Sequence, residues 1–317
     1  LFFGMIKRGL LSGLGTVWTL GKVIFPVTLI VSILQYTPVL NWIVKGISPA
    51  MKVLGLPGEA AIPLVLGNFL NLYAAIGGVL TLHLTVKEVL ILAVMLSFCH
   101  NLLIETSVAL KVGVKLWVIL TVRISLALIS AIVINLVWHG GGQYAQYGSF
   151  DGKDGEISGA ASIVLHGIEN ALHGIWKLAI IVIPLMVVIQ IMKELKWMDK
   201  ISSGLAPLMK ILGMQKNASM TMATGLVLGL AYGAGVMIQA VQEDGVSKKD
   251  ATLAFIFLVA CHAVVEDTLI FVPLGVPVWA LFLIRIITAF ILTMAVSYFW
   301  KRAETAKLRK ETIYEHI

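Results

Sequence analysis

Eight apolar runs, at 17–34, 62–84, 89–110, 116–137, 178–191, 221–241, 251–274 and 278–299, leave this chain few ways to fold. A hydrocarbon core of about 30 Å is crossed by roughly 20 helical residues, so most of these runs are long enough to span a bilayer. Lipid offers backbone groups no hydrogen bonds, and uninterrupted apolar text without period-two alternation selects helices over a barrel. Composition agrees: 59% of residues are hydrophobic, 13% are charged and the mean hydropathy is +0.94. Soluble domains carry about twice that share of charge. The expected class is an all-α polytopic membrane protein.

The net charge of +7 does not point to nucleic acid, because Lys and Arg flank the apolar runs and form no basic patch interleaved with aromatics. They bear on orientation instead. Cys99 and Cys261, both within apolar runs, exclude a disulfide framework and a Cys-rich zinc module. The first residues, "LFFGMIKRGLLSGLGTVWTL", lack a small-residue cleavage pattern and read as an amphipathic lead-in with Lys7 and Arg8 on its polar side.

Set against itself at an offset of 162, the chain matches without a gap from Leu64 to Arg123. Cys99-His100 meets Cys261-His262, Glu105 meets Asp267, Thr106 meets Thr268, Trp117 meets Trp279 and Arg123 meets Arg285. Matches of Cys, His, Trp and Arg carry weight in apolar text because these residues are rare there. Upstream the offset is 158, pairing Trp18 with Trp176, Pro26 with Pro184 and "PAMKVLG" with "PLMKILG"; a four-residue length difference is expected near 56–63. The organisation is a first repeat at 1–138, a polar glycine-rich linker at 139–160, a second repeat at 161–300 and a basic tail at 301–317.

Basic termini and a linker carrying Asp151, Asp154 and Glu156 place both termini in the cytoplasm and the linker outside. Each half then crosses an odd number of times, which inverts one repeat relative to the other, the pattern of secondary transporters with a midplane site. With four apolar runs per half, one must be re-entrant. Lys87, Lys111 and Lys115 around the run at 89–112 favour a hairpin there, with "CHNLLIE" at its tip; "LVLGNFLNLYAAIGG" is the alternative.

His100, Glu105, His262, Glu266 and Asp267 are ionisable groups deep in apolar runs, where an unpaired charge is costly and function is the first hypothesis. With Cys99 and Cys261 they make a donor set suited to iron, zinc or manganese as a transported divalent cation. Other roles stay open: an imidazole bonding a neighbouring carbonyl, cysteines as packing residues, Thr106 and Thr268 as helix caps, and Glu105 and Asp267 as counter-charges to Arg123 and Arg285. Asn68, Asn71, Tyr73, Tyr232 and Gln239, with Arg123 and Arg285, are candidates for binding a polar solute; the amides and phenols serve equally as interhelical hydrogen bonds. His166, Glu169 and His173 share a helical face near the linker and suit cation capture or an interfacial helix.

The duplicated text "LPGEAAIPLVLGNFLNLYAAIG" followed by "CHNLLIET" resembles the Gate, or nucleoside-recognition, family of bacterial membrane proteins. That family includes the permease region of the ferrous-iron transport protein B and the spore-maturation membrane proteins, and is distantly similar to concentrative nucleoside transporters. The resemblance implies two Gate repeats with broken or re-entrant helices and makes Cys99 and Cys261 the counterparts of the cysteine in each iron-permease repeat. The chain departs from those permeases in having no "GxxxxGK[ST]" phosphate loop and in placing a His after each Cys, so nucleotide-driven transport is not expected. The expected function is divalent-cation transport by alternating access, with no resident cofactor and no enzymatic activity. An ion-coupled carrier of nucleosides or small polar solutes, and a non-transporting scaffold or subunit, remain as alternatives. Expected partners are the lipid bilayer, the transported ion or solute and further copies of the chain, in the bacterial inner membrane.

Overall fold

The computed structural model describes residues 2–34, 37–147 and 159–315, and the centre of the linker lies outside them. Among the described residues the regular elements are helical, with one isolated bridge between Thr85 and Tyr144. The first half contains α1 (Phe2–Leu34), α2 (Pro38–Val53), α3 (Ala61–Phe69), α4 (Leu72–Val79), α5 (Val86–Phe98), α6 (Leu102–Lys111) and α7 (Leu116–Val137). The second repeats the order as α8 (Ala160–Glu194), α9 (Trp197–Ile211), α10 (Ser219–Tyr232), α11 (Ala234–Glu243), α12 (Lys248–Ala260), α13 (Glu266–Leu269) and α14 (Val278–Glu315). The N-terminal lead-in is no separate element; it is the first part of α1.

Among the described residues, four segments are long and apolar enough to cross a membrane: Phe2–Val31, Val86–Lys111, Leu116–Val137 and Val278–Lys307. Val86–Lys111 is therefore one span interrupted at 99–101, not the hairpin its flanking lysines suggested. The reversal falls in the alternative segment. Leu70 and Asn71 turn the chain between α3 and α4, and the two helices lie antiparallel. A Cβ on Gly67 would meet that of Ala75 at 3.0 Å, and one on Gly78 would meet Pro63 and Leu66. Glycine at these contacts lets the helix backbones approach closely.

The first helices of the two repeats fix their relative sense. A Cβ on Gly9 would stand 2.6 Å from the Val187 Cα, and one on Gly13 would stand 3.0 Å from the Ile183 Cα. Residue numbers rise along α1 as they fall along α8, so the helices are antiparallel. Arg8 closes one end, donating Nε–H to Glu194 Oε1 at 2.7 Å. Because α1 and α8 occupy the same place in their repeats, their antiparallel packing makes the repeat topology inverted.

The four-residue length difference lies later than the sequence suggested. The short 3-10 turns Gly58–Ala60 and Lys216–Ala218 match at an offset of 158, and so do Gly67 and Gly225. Gly67 packs on Leu96 and Gly225 on Leu258, which are themselves repeat equivalents. The extra residues fall at 226–233, where Gly229 (φ 78°, ψ 175°) breaks α10 and adds about one turn before α11. The identical "LVLG" text at 64–67 and 226–229 set the register at 162 in the sequence, which hid the shift.

The chain forms two compact units, each drawing on both repeats. Unit 1 comprises Leu1–Ile104, Arg123–Trp197 and Val264–Leu283; unit 2 comprises Glu105–Val122, Met198–Ala263 and Ile284–Ile317.

Candidate functional site

The two Cys-His tips are built by the same local device. Thr85 and Ser247 begin α5 and α12 by accepting the backbone N–H of Glu88 and Asp250 at 3.3 and 3.0 Å. Both helices run buried and stop at the residue before the cysteine. The break is made by Asn101 (φ 46°) and Ala263 (φ 39°), repeat equivalents that both adopt the left-handed conformation. That conformation costs a residue with a Cβ roughly 1–2 kcal/mol. Each residue donates its N–H to a glycine carbonyl on the neighbouring helix, Asn101 to Gly67 at 2.7 Å and Ala263 to Gly225 at 3.0 Å.

A helix break releases carbonyls, and the side chains answer them. The carbonyl four residues before each histidine accepts from the imidazole: His100 Nδ1 lies 2.6 Å from Leu96 O, and His262 Nδ1 lies 2.8 Å from Leu258 O. A carbonyl can only accept, so Nδ1 carries the proton and Nε2 of the neutral ring keeps its lone pair. This is the second-shell bond that orients most metal-binding histidines. Arg123, fully buried, donates Nε–H to Phe98 O at 3.2 Å and a terminal N–H to His100 O; Arg285, equally buried, donates to His262 O. Each arginine thus holds at least one carbonyl of its own tip.

In unit 2, His262 Nε2 faces Glu105 Oε1 at 3.3 Å, and both side chains are buried. In unit 1, a ring nitrogen of His100 and a carboxylate oxygen of Asp267 lie within 4.8 Å of each other. Within each unit, then, the histidine of one repeat meets the carboxylate of the other. Unit 1 adds the Tyr73 hydroxyl, which donates to Glu266 Oε1 and ties α4 to α13.

The unit 2 distance is informative. With a proton on Nε2 the ring would pair with this carboxylate directly; without one, Nε2 and Oε1 are two donors that a cation can bridge. Two donors at about 2.0–2.1 Å from a tetrahedral zinc-like ion stand about 3.3 Å apart.

The remaining candidates are dispersed. Cys99 Sγ donates to Asn68 Oδ1 at 2.9 Å, while Asn68 Nδ2 donates to Leu64 O at 2.8 Å. Asn71 caps α4, its Oδ1 accepting from the Ala74 N–H at 2.9 Å. Gln239 is exposed and donates to Glu243. Cys261 is fully buried, and the Tyr232 side chain lies outside those described. Thr106 and Thr268 are not caps: α6 already begins at Leu102, and Thr268 donates to Val264 O at 2.6 Å. On α8, His166 and His173 are half-buried and Glu169 is exposed. Sequence reasoning allowed each imidazole a carbonyl partner but on a neighbouring helix, whereas the partner is Leu96 or Leu258 of its own helix; it missed the Tyr73–Glu266 contact, which no local signal announces.

Comparison with known proteins agrees with this architecture. The Gate family, described as nucleoside recognition, matches residues 17–136 and again 175–296. The membrane protein YvoD of Bacillus subtilis is 61% identical over 305 residues, covering 96% of this chain and 98% of YvoD. No solved structure matches. Two matched segments spanning most of the chain, on an inverted pair of seven-helix repeats, make this integral membrane protein a member of the Gate, or nucleoside-recognition, family.

Proposed function

We propose that this protein transports a divalent cation, held by His–carboxylate pairs: His262 with Glu105, and His100 with Asp267. The observation that carries the reading is His262 Nε2 at 3.3 Å from Glu105 Oε1, with Nδ1 already committed to Leu258 O. Imidazole and carboxylate together suit ferrous iron, zinc or manganese. Two protein donors leave coordination positions to water, as a cargo that must be released requires; a structural zinc is instead closed by four protein ligands. Inverted repeats support alternating access as the cycle, and the basic termini favour a cytoplasmic location for both ends in the bacterial inner membrane. The solute-carrier alternative would rely on Asn68, Asn71 and Gln239, whose amides serve Leu64, Ala74 and Glu243. No enzymatic activity is assigned.

The test is uptake of Zn²⁺, Mn²⁺ and Fe²⁺ into proteoliposomes, with metal-dependent thermal stabilisation measured alongside. His262→Ala and Glu105→Gln should each abolish uptake and stabilisation, and the double variant should be no worse than either single one, because partners in one site are non-additive. Wild-type uptake in both single variants would sink the proposal. A folded wild type with no flux of any of the three ions would favour the scaffold alternative.

A further inference from the structure

A cavity of about 290 Å³ lies within unit 1, between α3, the first tip and α7. Its interior is formed by Met95, Cys99 and Ala127, each only about 5% exposed. Asn68 lies at the wall with both ends of its amide engaged, so the surface presented is apolar. The rim is made by Val65, Phe69, Ile124 and Leu128, exposed by 54, 63, 44 and 42%. Ile124 and Leu128 sit in the middle of the Leu116–Val137 span. In a membrane-spanning chain, exposed apolar side chains at that depth face hydrocarbon, so the mouth opens toward lipid tails, well away from headgroups and water.

The second repeat does not keep this space. Its counterparts of Met95 and Leu128 are Phe257 and Phe290, whose rings pack edge to face with centroids 5.3 Å apart. Asn68 is replaced by leucine in either repeat register, Leu226 or Leu230, and Cys261 is wholly buried. One copy of the duplication thus fills the position with two aromatic rings while the other leaves it open. An empty apolar cavity is unfavourable in proportion to its volume, and an apolar one stays dry.

We propose that this cavity binds the terminal part of one acyl chain from a bilayer lipid. The chain enters between Phe69 and Leu128 and reaches Met95 and Cys99 beside the first tip. The site is predominantly apolar, the Asn68 amide being engaged by Leu64 and Cys99, and so selects for a tail over a headgroup. This inference stands apart from the cation reading, since it uses neither His–carboxylate pair.

The experiment is photolabelling of the full chain, reconstituted with a trace of phosphatidylcholine bearing a diazirine near the end of one acyl chain, followed by peptide mass spectrometry. Lipid that only surrounds the protein labels the rim residues. A seated chain labels Met95 and Cys99 as well, which is the expected result. Adducts confined to the rim would overturn the proposal. So would an unlabelled rim, which would show that another copy of the chain covers this face. Met95→Phe combined with Leu128→Phe installs the aromatic pair of the second repeat; it should remove the Cys99 adduct to the background of the sealed core residue Met222 while Val65 stays labelled. A Cys99 adduct that survives this filling would also overturn the proposal, and if the double variant fails to fold the wild-type pattern decides alone.

Discussion

Arg123 offers a direct test of what holds the first tip open. Its guanidinium is fully buried and donates to the carbonyls of Phe98, where α5 ends, and of His100, the residue before Asn101. A hydrogen bond to a charged group contributes about 1.5–3 kcal/mol net, so Arg123→Met forfeits about 3–6 kcal/mol. Removing a buried cation returns part of its desolvation cost, which amounts to several kcal/mol. The expected net loss is about 2–4 kcal/mol, since two buried carbonyls lose their donor and remain in place. Arg123→Lys separates two roles. A lysine keeps the charge but loses the planar fork that serves two carbonyls at once, so it should be no more stable than the methionine variant. If Arg123 acted mainly as a counter-charge to a carboxylate, lysine would restore most of the stability. Thermal unfolding in nanodiscs, read by intrinsic fluorescence, measures both variants. Wild-type stability in Arg123→Lys would refute the carbonyl-bridging role, and Arg285→Met should repeat the loss at the second tip through His262 O.

Three further outcomes follow from the same geometry. Ala263→Gly relieves a left-handed alanine (φ 39°) and should unfold at or slightly above the wild-type temperature, while Ala263→Val should unfold well below it, because a β-branched side chain fits that region poorly. In α1, Gly9→Leu would drive a side chain into the backbone at Val187 and should lower stability by about 1–3 kcal/mol or more; Gly15→Leu, with open space around it, should be tolerated in the same thermal assay. Metal-dependent stabilisation should weaken steadily as pH falls, because protons compete with the metal for imidazole and carboxylate donors; a pH-independent response in thermal-shift titrations would count against His262 and Glu105 as ligands.

Much of the fold is readable in the chain because a duplicated membrane protein carries two strong signals. Apolar runs near 20 residues allow little besides helices, and rare residues such as Cys99, His100, Trp117 and Arg123 recur at one spacing. The ionisable side chains of the tips stand out for the same reason, being expensive in that setting. What was hidden is geometry. Lys87, Lys111 and Lys115 suggested that the run between them begins and ends on one side, yet the chain reverses at Leu70 and Asn71. Charge near a span reports preference for a side of the membrane and says nothing about where a buried helix bends. The repeat offset identifies equivalent residues but not touching ones, so the meeting of His262 with Glu105 could not be read from it. The bond from Nδ1 to Leu258 O becomes predictable only once the helix is known to stop at Ala260.

The departures from symmetry carry as much chemistry as the matches. Lys111 in the first repeat corresponds to Pro273 in the second, and a proline ring clashes with the carbonyl four residues before it. That residue is Leu269, where α13 ends after a single turn, whereas α6 continues for ten residues. The shortened helix presents Glu266 and Asp267 together in its first turn, and Tyr73 takes hold of Glu266. Neither member of that contact exists in the other copy: Ile104 stands where Glu266 would be, and Gly235 where Tyr73 would be. In a transporter, two identical inverted repeats would make the inward-open and outward-open states equivalent by a two-fold rotation and equal in energy. A hydrogen bond to a carboxylate, at about 1.5–3 kcal/mol, is enough to bias such an equilibrium by about one to two orders of magnitude. The proline and the Tyr73–Glu266 bond are therefore where the two copies of this chain part in structure, while the two Cys-His tips keep the common chemistry.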